Sequence, residues 1–234
     1  MVLQGQPRTE AAARISCTSP MASRLHAPMP RPRCILWCVA CLLLGAAPVH
    51  EPPRQAAWPR LRDGDIALRR GRTWISLAVL MADRGSRYSH AGIVARIGGQ
   101  LHVIHAEPDG SNPAQGAVKA TPLEEFASPD EAEEIGFLRI REGMEGAARK
   151  AAESALQWVG KPFDPELDLA SDARFYCTEL VWKSYRKAGV DLTAGQRRSL
   201  VGLSDRGDLI AVSDLTGSPL LNQFFHSGKE PEAR

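Results

Sequence analysis

Phe175-Tyr-Cys-Thr-Glu-Leu-Val-Trp-Lys-Ser-Tyr185 places one cysteine, Cys177, at the first turn of a predicted helix. Apolar or aromatic residues recur at Leu180, Val181, Tyr185 and Ala188, the three-and-four spacing that gives a helix one buried face, and Gly189 stops it. A thiol at a helix N-terminus meets unpaired backbone N–H groups and the positive end of the macrodipole. Both favour the thiolate, the form that attacks a carbonyl carbon. Cys177 is therefore placed as a nucleophile would be. A lone helix cysteine is more commonly a small buried hydrophobe, so the rest of the chain decides between the two readings.

The 234 residues, 44% hydrophobic and 24% charged, suffice for one globular domain with a sizeable core. The formal charge of +2 conceals a division: the first 48 residues hold five arginines and one acid, leaving 24 basic against 26 acidic residues in the remainder. That remainder offers no basic face for nucleic acid.

Arg31 and Arg33 precede the apolar run Cys34-Ile-Leu-Trp-Cys-Val-Ala-Cys-Leu-Leu-Leu44, and Gly45-Ala-Ala-Pro48 follows. A basic flank, an apolar run of about a dozen residues and a small-residue exit have the form of a secretory signal peptide within a leader over residues 1–48, too short for a membrane span. Residues 1–28 are unpatterned for such a leader, which makes Met29, with Met21 as the alternative, the expected start of translation. Export is the expected fate, and the mature chain is expected to carry no transmembrane segment. Of five cysteines, Cys17, Cys34, Cys38 and Cys41 lie in the leader, so the exported chain keeps Cys177 alone and forms no internal disulfide. An unpaired thiol in an oxidising compartment calls for a reason.

Residues 49–60, with three prolines and no periodicity, read as a linker. A domain is expected over 61–226 and a frayed tail over 227–234. Within it, Leu61–Arg69 gives a turn and a strand, and Thr73–Met81 a short helix. Ser89–Ile97 and Leu101–Glu107 form a hairpin about Gly98-Gly99. Pro108–Ala117 reads as a loop, Val118 as a short strand, Thr121–Phe126 as a helical turn, and Glu134–Ile140 as a strand. Glu145–Val159 is helical by propensity, and Leu209–Val212 reads as a last strand. The sum is an α+β domain, antiparallel strands preceding the Cys177 helix.

A cysteine nucleophile needs a base and a third group that orients it. The hairpin offers His90, His102, His105 and Glu107. With a two-residue turn at Gly98-Gly99, Glu107 falls opposite His90, His105 lies diagonal on the same face, and His102 points the other way. His90, His105 and Cys177 are also metal-ligand types, but no close ligand pair such as His-x-x-x-His anchors a site after the leader. No metal or other cofactor is expected.

Asp63-Gly-Asp65, Ser86-Arg-Tyr-Ser-His-Ala-Gly-Ile-Val94, Val103-Ile-His-Ala106, Thr121-Pro-Leu-Glu-Glu-Phe126, Gly160-Lys-Pro-Phe-Asp164 and Tyr176-Cys-Thr-Glu-Leu-Val181 together resemble the YiiX/YaeF-like permuted papain-fold enzymes. These are relatives of the NlpC-type cell-wall peptidases in which the histidine precedes the cysteine. The resemblance runs in order from about Leu61 to Val190. It implies an antiparallel sheet packed on the nucleophile helix, with Cys177 as nucleophile and His90 as base. The third polar position falls on His105, where permuted members usually carry glutamate, which leaves Glu107 as an alternative orienting residue. Phe163 stands where tyrosine is common.

The expected reaction is amide hydrolysis through a Cys177 acyl-thioester, with the Cys177 backbone N–H as oxyanion donor and Tyr176 as a candidate for the pocket. Export and the resemblance together imply a peptide-like or amide substrate of the cell envelope, in the periplasm or envelope. The enzymatic alternative is a thiol acyltransferase or lipid-acyl hydrolase. The non-enzymatic alternative is an envelope-binding module that has lost activity.

Overall fold

The computed structural model describes Trp58 and residues 60–84, 86–110, 112–196 and 208–227. The leader, most of the linker and all but Ser227 of the tail lie outside the described residues. β1 (Ile66–Gly71), β2 (His90–Ile97), β3 (Gln100–Asp109), β4 (Asn112–Pro122), β5 (Ala132–Ile140) and β6 (Leu221–His226) form one sheet in the order β4-β3-β2-β1-β5-β6. Every pairing is antiparallel.

Alternation along the strands separates two cores. Ile66, Leu68, Ala91, Ile93, Ile104 and Ala106 face α3 (Glu145–Gln157) and α4 (Cys177–Lys187), meeting Leu180, Val181 and Tyr185. Ala67, Val94, Val103 and Phe137 face the other way, under Leu123 and Phe126 of the four-residue α2 (Leu123–Phe126). Burying Leu180 and Val181, both 0% exposed, is worth ~1.5–3 kcal/mol each. Tyr185 adds an anchor, its hydroxyl donating to the Gly64 carbonyl at 2.5 Å and tying α4 to the approach to β1.

The hairpin follows its sequence. Gly98 and Gly99 take φ of 59° and 85°, the pair of positive angles that a two-residue primed turn needs. Ile93 then pairs with Ile104 and Ile97 with Gln100, the expected register. The chain departs from expectation after it. Residues read as a loop from Pro108 to Ala117 mostly belong to β4, which pairs with β3 from His102↔Pro122 to Pro108↔Gly116. Their prolines and glycines mark an edge strand and a bulge, where a missing N–H costs no ladder bond.

The segment expected as a strand, Leu209–Val212, makes only an isolated bridge residue and then starts α5 (Val212–Thr216). β6 supplies the edge strand instead. The short helix over residues 73–81 is α1 (Trp74–Ala82), with the Thr73 hydroxyl accepting from Ser76 N–H at its start. Among the described residues, no helix is long and apolar enough to cross a membrane.

Candidate active site

The site is assembled at the start of β2 and the start of α4. Tyr176 is extended and Cys177 is the first residue of α4. The Glu179 carboxylate reaches back to accept the Tyr176 N–H at 3.1 Å, satisfying one of the helix's orphan donors. Glu179 is fully buried and paired with Lys183 at 2.9 Å. Burial pushes its carboxyl up to about 7, against the pull of Lys183.

Backbone N–H groups of Ala91, Thr178 and Cys177 itself stabilise the Cys177 thiolate, as a helix N-terminus should. Burial is nevertheless the larger influence and pushes the thiol up. The dipole argument from sequence is thus outweighed by desolvation, which a linear sequence does not display. Cys177 keeps partial exposure and is the free cysteine among the described residues.

His90, His105 and Glu107 share a sheet face, as alternation requires, with Arg69 from β1 opposite His90. His90 Nε2 lies 2.8 Å from His105 Nδ1, and His105 Nε2 lies 2.9 Å from Thr121 Oγ1. Phe126 packs against both imidazoles. Burial, then Arg69, holds His105 down to about 3 and His90 well below the ordinary histidine range. Both rings are therefore neutral at neutral pH. The helix that bears Cys177 packs on the opposite face of the sheet. Its thiol meets the chain at the Ala91 N–H, next to His90, and one cavity of about 490 Å³ has both side chains on its wall.

Glu107 is drawn elsewhere. It pairs with Arg69, which also reaches Glu131 at 3.3 Å, and it stands 4.0 Å from both His105 Nδ1 and Lys119 Nζ. His105 is the residue in hydrogen-bond contact with His90. His102, of opposite parity, bonds the Gln100 carbonyl at 3.2 Å. Tyr176 lines the cavity, and its hydroxyl accepts the Ile210 N–H at 2.8 Å. Thr121 and Arg69 are partners that the sequence reading did not single out. Thr121 stood in the sequence as the first residue of the Thr121–Phe126 segment, read as a helical turn; it lies in β4 instead, opposite Val103, and Arg69 was signalled only by its parity with His90.

His90, His105 and Glu107 each offer a ligand atom within 4.8 Å of the others. The set does not fit a cation in this geometry. The two ring nitrogens, 2.8 Å apart, are at the distance of a shared proton. A dication on Glu107 would sit against Arg69 and Lys119.

A model of the permuted papain-like amidase enzymes, YaeF/YiiX, matches residues 60–201. The chain is 30% identical over 145 residues to the protein YiiX of Escherichia coli (strain K12), described as uncharacterized. That match spans 62% of this chain and 66% of the relative, just under two thirds of its length. A crystal structure titled as the metalloprotein yiiX from Escherichia coli O157:H7 superposes with a TM-score of 0.60 at 24% identity, over 71% of this chain and 97% of that one.

Proposed function

The chain belongs to the permuted papain-like amidases, YaeF/YiiX, and from that premise we propose that it is an exported cysteine amidase acting on cell-envelope amides through Cys177, with His90 as base and His105 as its orienting partner. The family supports a cysteine hydrolase. The observation that carries the finer reading is the chain His90 Nε2, His105 Nδ1, His105 Nε2, Thr121 Oγ1, whose His90 shares one cavity wall with Cys177.

The roles follow from the proton inventory of two neutral imidazoles. If His90 donates its Nε2–H to His105 Nδ1, and His105 donates its Nε2–H to Thr121, His90 Nδ1 is left as an open acceptor. The resting state is a neutral thiol and a neutral imidazole, because burial disfavours both charges. On substrate binding, His90 Nδ1 takes the Cys177 proton as sulphur attacks the amide carbon. The oxyanion faces the helix-start N–H of Cys177. The imidazolium returns the proton to the amide nitrogen, the C–N bond breaks, and a thioester remains. Water then gives a proton to His90 and attacks the thioester; the C–S bond breaks and the thiolate recovers its proton. Proton transfer of this kind contributes ~10²- to 10⁴-fold. No step runs through a metal.

The test is release of p-nitroaniline from acyl p-nitroanilides by the full-length protein, with and without chelator and an amine acceptor. Hydrolysis that survives chelator and is lost in Cys177→Ala supports the reading. Acyl transfer to the amine in preference to free acid would replace it with the transferase. Binding without turnover would replace it with a binding module, and loss to chelator would replace it with a metalloenzyme. Export is tested by the mature N-terminus in the cell, expected near Val49.

A further inference from the structure

A buried arginine needs a reason, because a charge taken out of water must be paired or must act on something nearby. Arg69 is 5% exposed. It pairs with His90 across β1 and β2, and its guanidinium lies over the Phe126 ring, 4.8 Å from the centroid. The same ring packs His105 at 5.2 Å and His90 at 6.0 Å. The cation and both imidazoles therefore share one aromatic platform.

Its pairing is incomplete. Arg69 meets Glu107, and Glu131 at 3.3 Å, but Glu107 also faces Lys119 at 4.0 Å. The Glu131 side chain is half-exposed, where water screens it. Arg69 Nε is buried without a hydrogen-bond partner among the described residues. An arginine kept for its hydrogen bonds would use that donor. What the burial preserves is the charge.

The charged groups around the two imidazoles are Arg69 from β1, Lys119 from β4 and Glu107 from β3, and the Cys177 thiol of α4 shares the cavity wall with His90. α2 brings Phe126, while its Glu124 and Glu125 are exposed. Two cations thus stand against one carboxylate. After burial, Arg69 is the largest influence holding each imidazole below the ordinary histidine range.

We propose that Arg69 is a positioning residue of the amidase site: its buried charge excludes a proton from the His90–His105 pair, so that His90 meets the substrate as the free base in acid as well as at neutral pH. The inference rests on the amidase reading above. A histidine of ordinary affinity is mostly protonated below 6.5 and could take no proton from Cys177. The same repulsion makes the His90 imidazolium, once formed, a ready donor of its Nδ1 proton to the departing amide nitrogen.

Two readouts test it in the full-length protein, both in a Glu107→Gln background, where removing Arg69 leaves Glu107 no unpaired charge. The first is the imidazole ¹⁵N shifts of His90 and His105, assigned from His90→Ala and His105→Asn and followed from neutral pH to the onset of acid unfolding. Arg69→Met is expected to raise the midpoints of the pair by about one pH unit or more. Arg69→Lys, which keeps the charge, is expected to leave them low. The second is the acid limb of kcat/KM for p-nitroanilide hydrolysis, expected to rise with the midpoints in Arg69→Met and to stay in place in Arg69→Lys.

Equal midpoints with and without Arg69, or a pair still unprotonated at the onset of unfolding in Arg69→Met, overturn the proposal and leave the amidase reading standing. A rise in Arg69→Lys as large as in Arg69→Met overturns it too and makes Arg69 a packing residue. Midpoints that rise while the acid limb stays in place overturn His90 as the base, and the proposal with it. Absence of hydrolysis at every pH overturns the amidase reading instead, and the midpoints alone then decide what Arg69 does to the pair.

Discussion

His90 Nε2 and His105 Nδ1 stand 2.8 Å apart on neighbouring strands, the contact on which the proposed orienting role of His105 rests. Glu107, the other residue in reach, is held by Arg69 and lies 4.0 Å from His105. This separates two variants. His105→Ala is expected to lower kcat/KM for amide hydrolysis by ~10²- to 10⁴-fold, as loss of an orienting group does. Glu107→Gln, which keeps its shape, is expected to cost about tenfold or less, on the ground that it touches no reacting atom. Steady-state kinetics of the pair, with the pH profile of each, decide the assignment.

The buried histidines also set the acid stability. His105 titrates at about 3 in the fold, against an ordinary 6.5. The unfolded chain therefore binds the extra proton between those values, and stability falls as pH drops from 6.5 towards 3. At ~1.4 kcal/mol per pH unit, His105 accounts for about 2 kcal/mol between pH 6.5 and 5. His90 acts in the same direction. Glu179 opposes them: its folded pKa, raised to about 7 from 4.5, adds stability as pH falls through that window. Urea denaturation at pH 7 and 5 is expected to show a smaller acid loss in His105→Asn than in wild type, and a larger one in Glu179→Gln.

Gly92 lies two residues after His90 on β2, packed tightly against β3. A Cβ there would lie 2.5 Å from Val103 Cγ1 and 2.9 Å from both His105 Cβ and the Ile104 carbonyl. These atoms belong to the paired strand and cannot swing aside. Gly92→Ala is expected to destabilise by ~1–3 kcal/mol, the cost of overpacking, and to lower activity further by displacing His105. Denaturation midpoints and kcat measured together test both parts.

Much of this site was legible because it depends on local rules. Gly98-Gly99 admits one tight turn, that turn fixes the register, and the register puts His90 and His105 on one face. The start of α4 was readable from apolar spacing alone, and Glu179 then supplied its cap. What escaped depends on non-local packing. β4 was hidden because Pro108, Gly110, Pro113 and Gly116 read as loop punctuation, although an edge strand tolerates them, and its Thr121 was read as the start of the helical turn that begins only at Leu123. Arg69 gives no sign in sequence of the carboxylates that it gathers. The direction of the thiol's shift was misjudged for the same reason: the helix terminus is local, and the burial that exceeds it comes from tertiary packing.

The measurement closest to the central claim is the covalent state of Cys177 during turnover. The full-length protein is quenched with acid while hydrolysing an acyl p-nitroanilide, and its peptides are mapped by mass. The account predicts an acyl adduct on the peptide that holds Cys177, formed at least ~10²-fold more slowly in His90→Ala. Turnover without an adduct at Cys177, or an adduct that forms equally fast without His90, would contradict it.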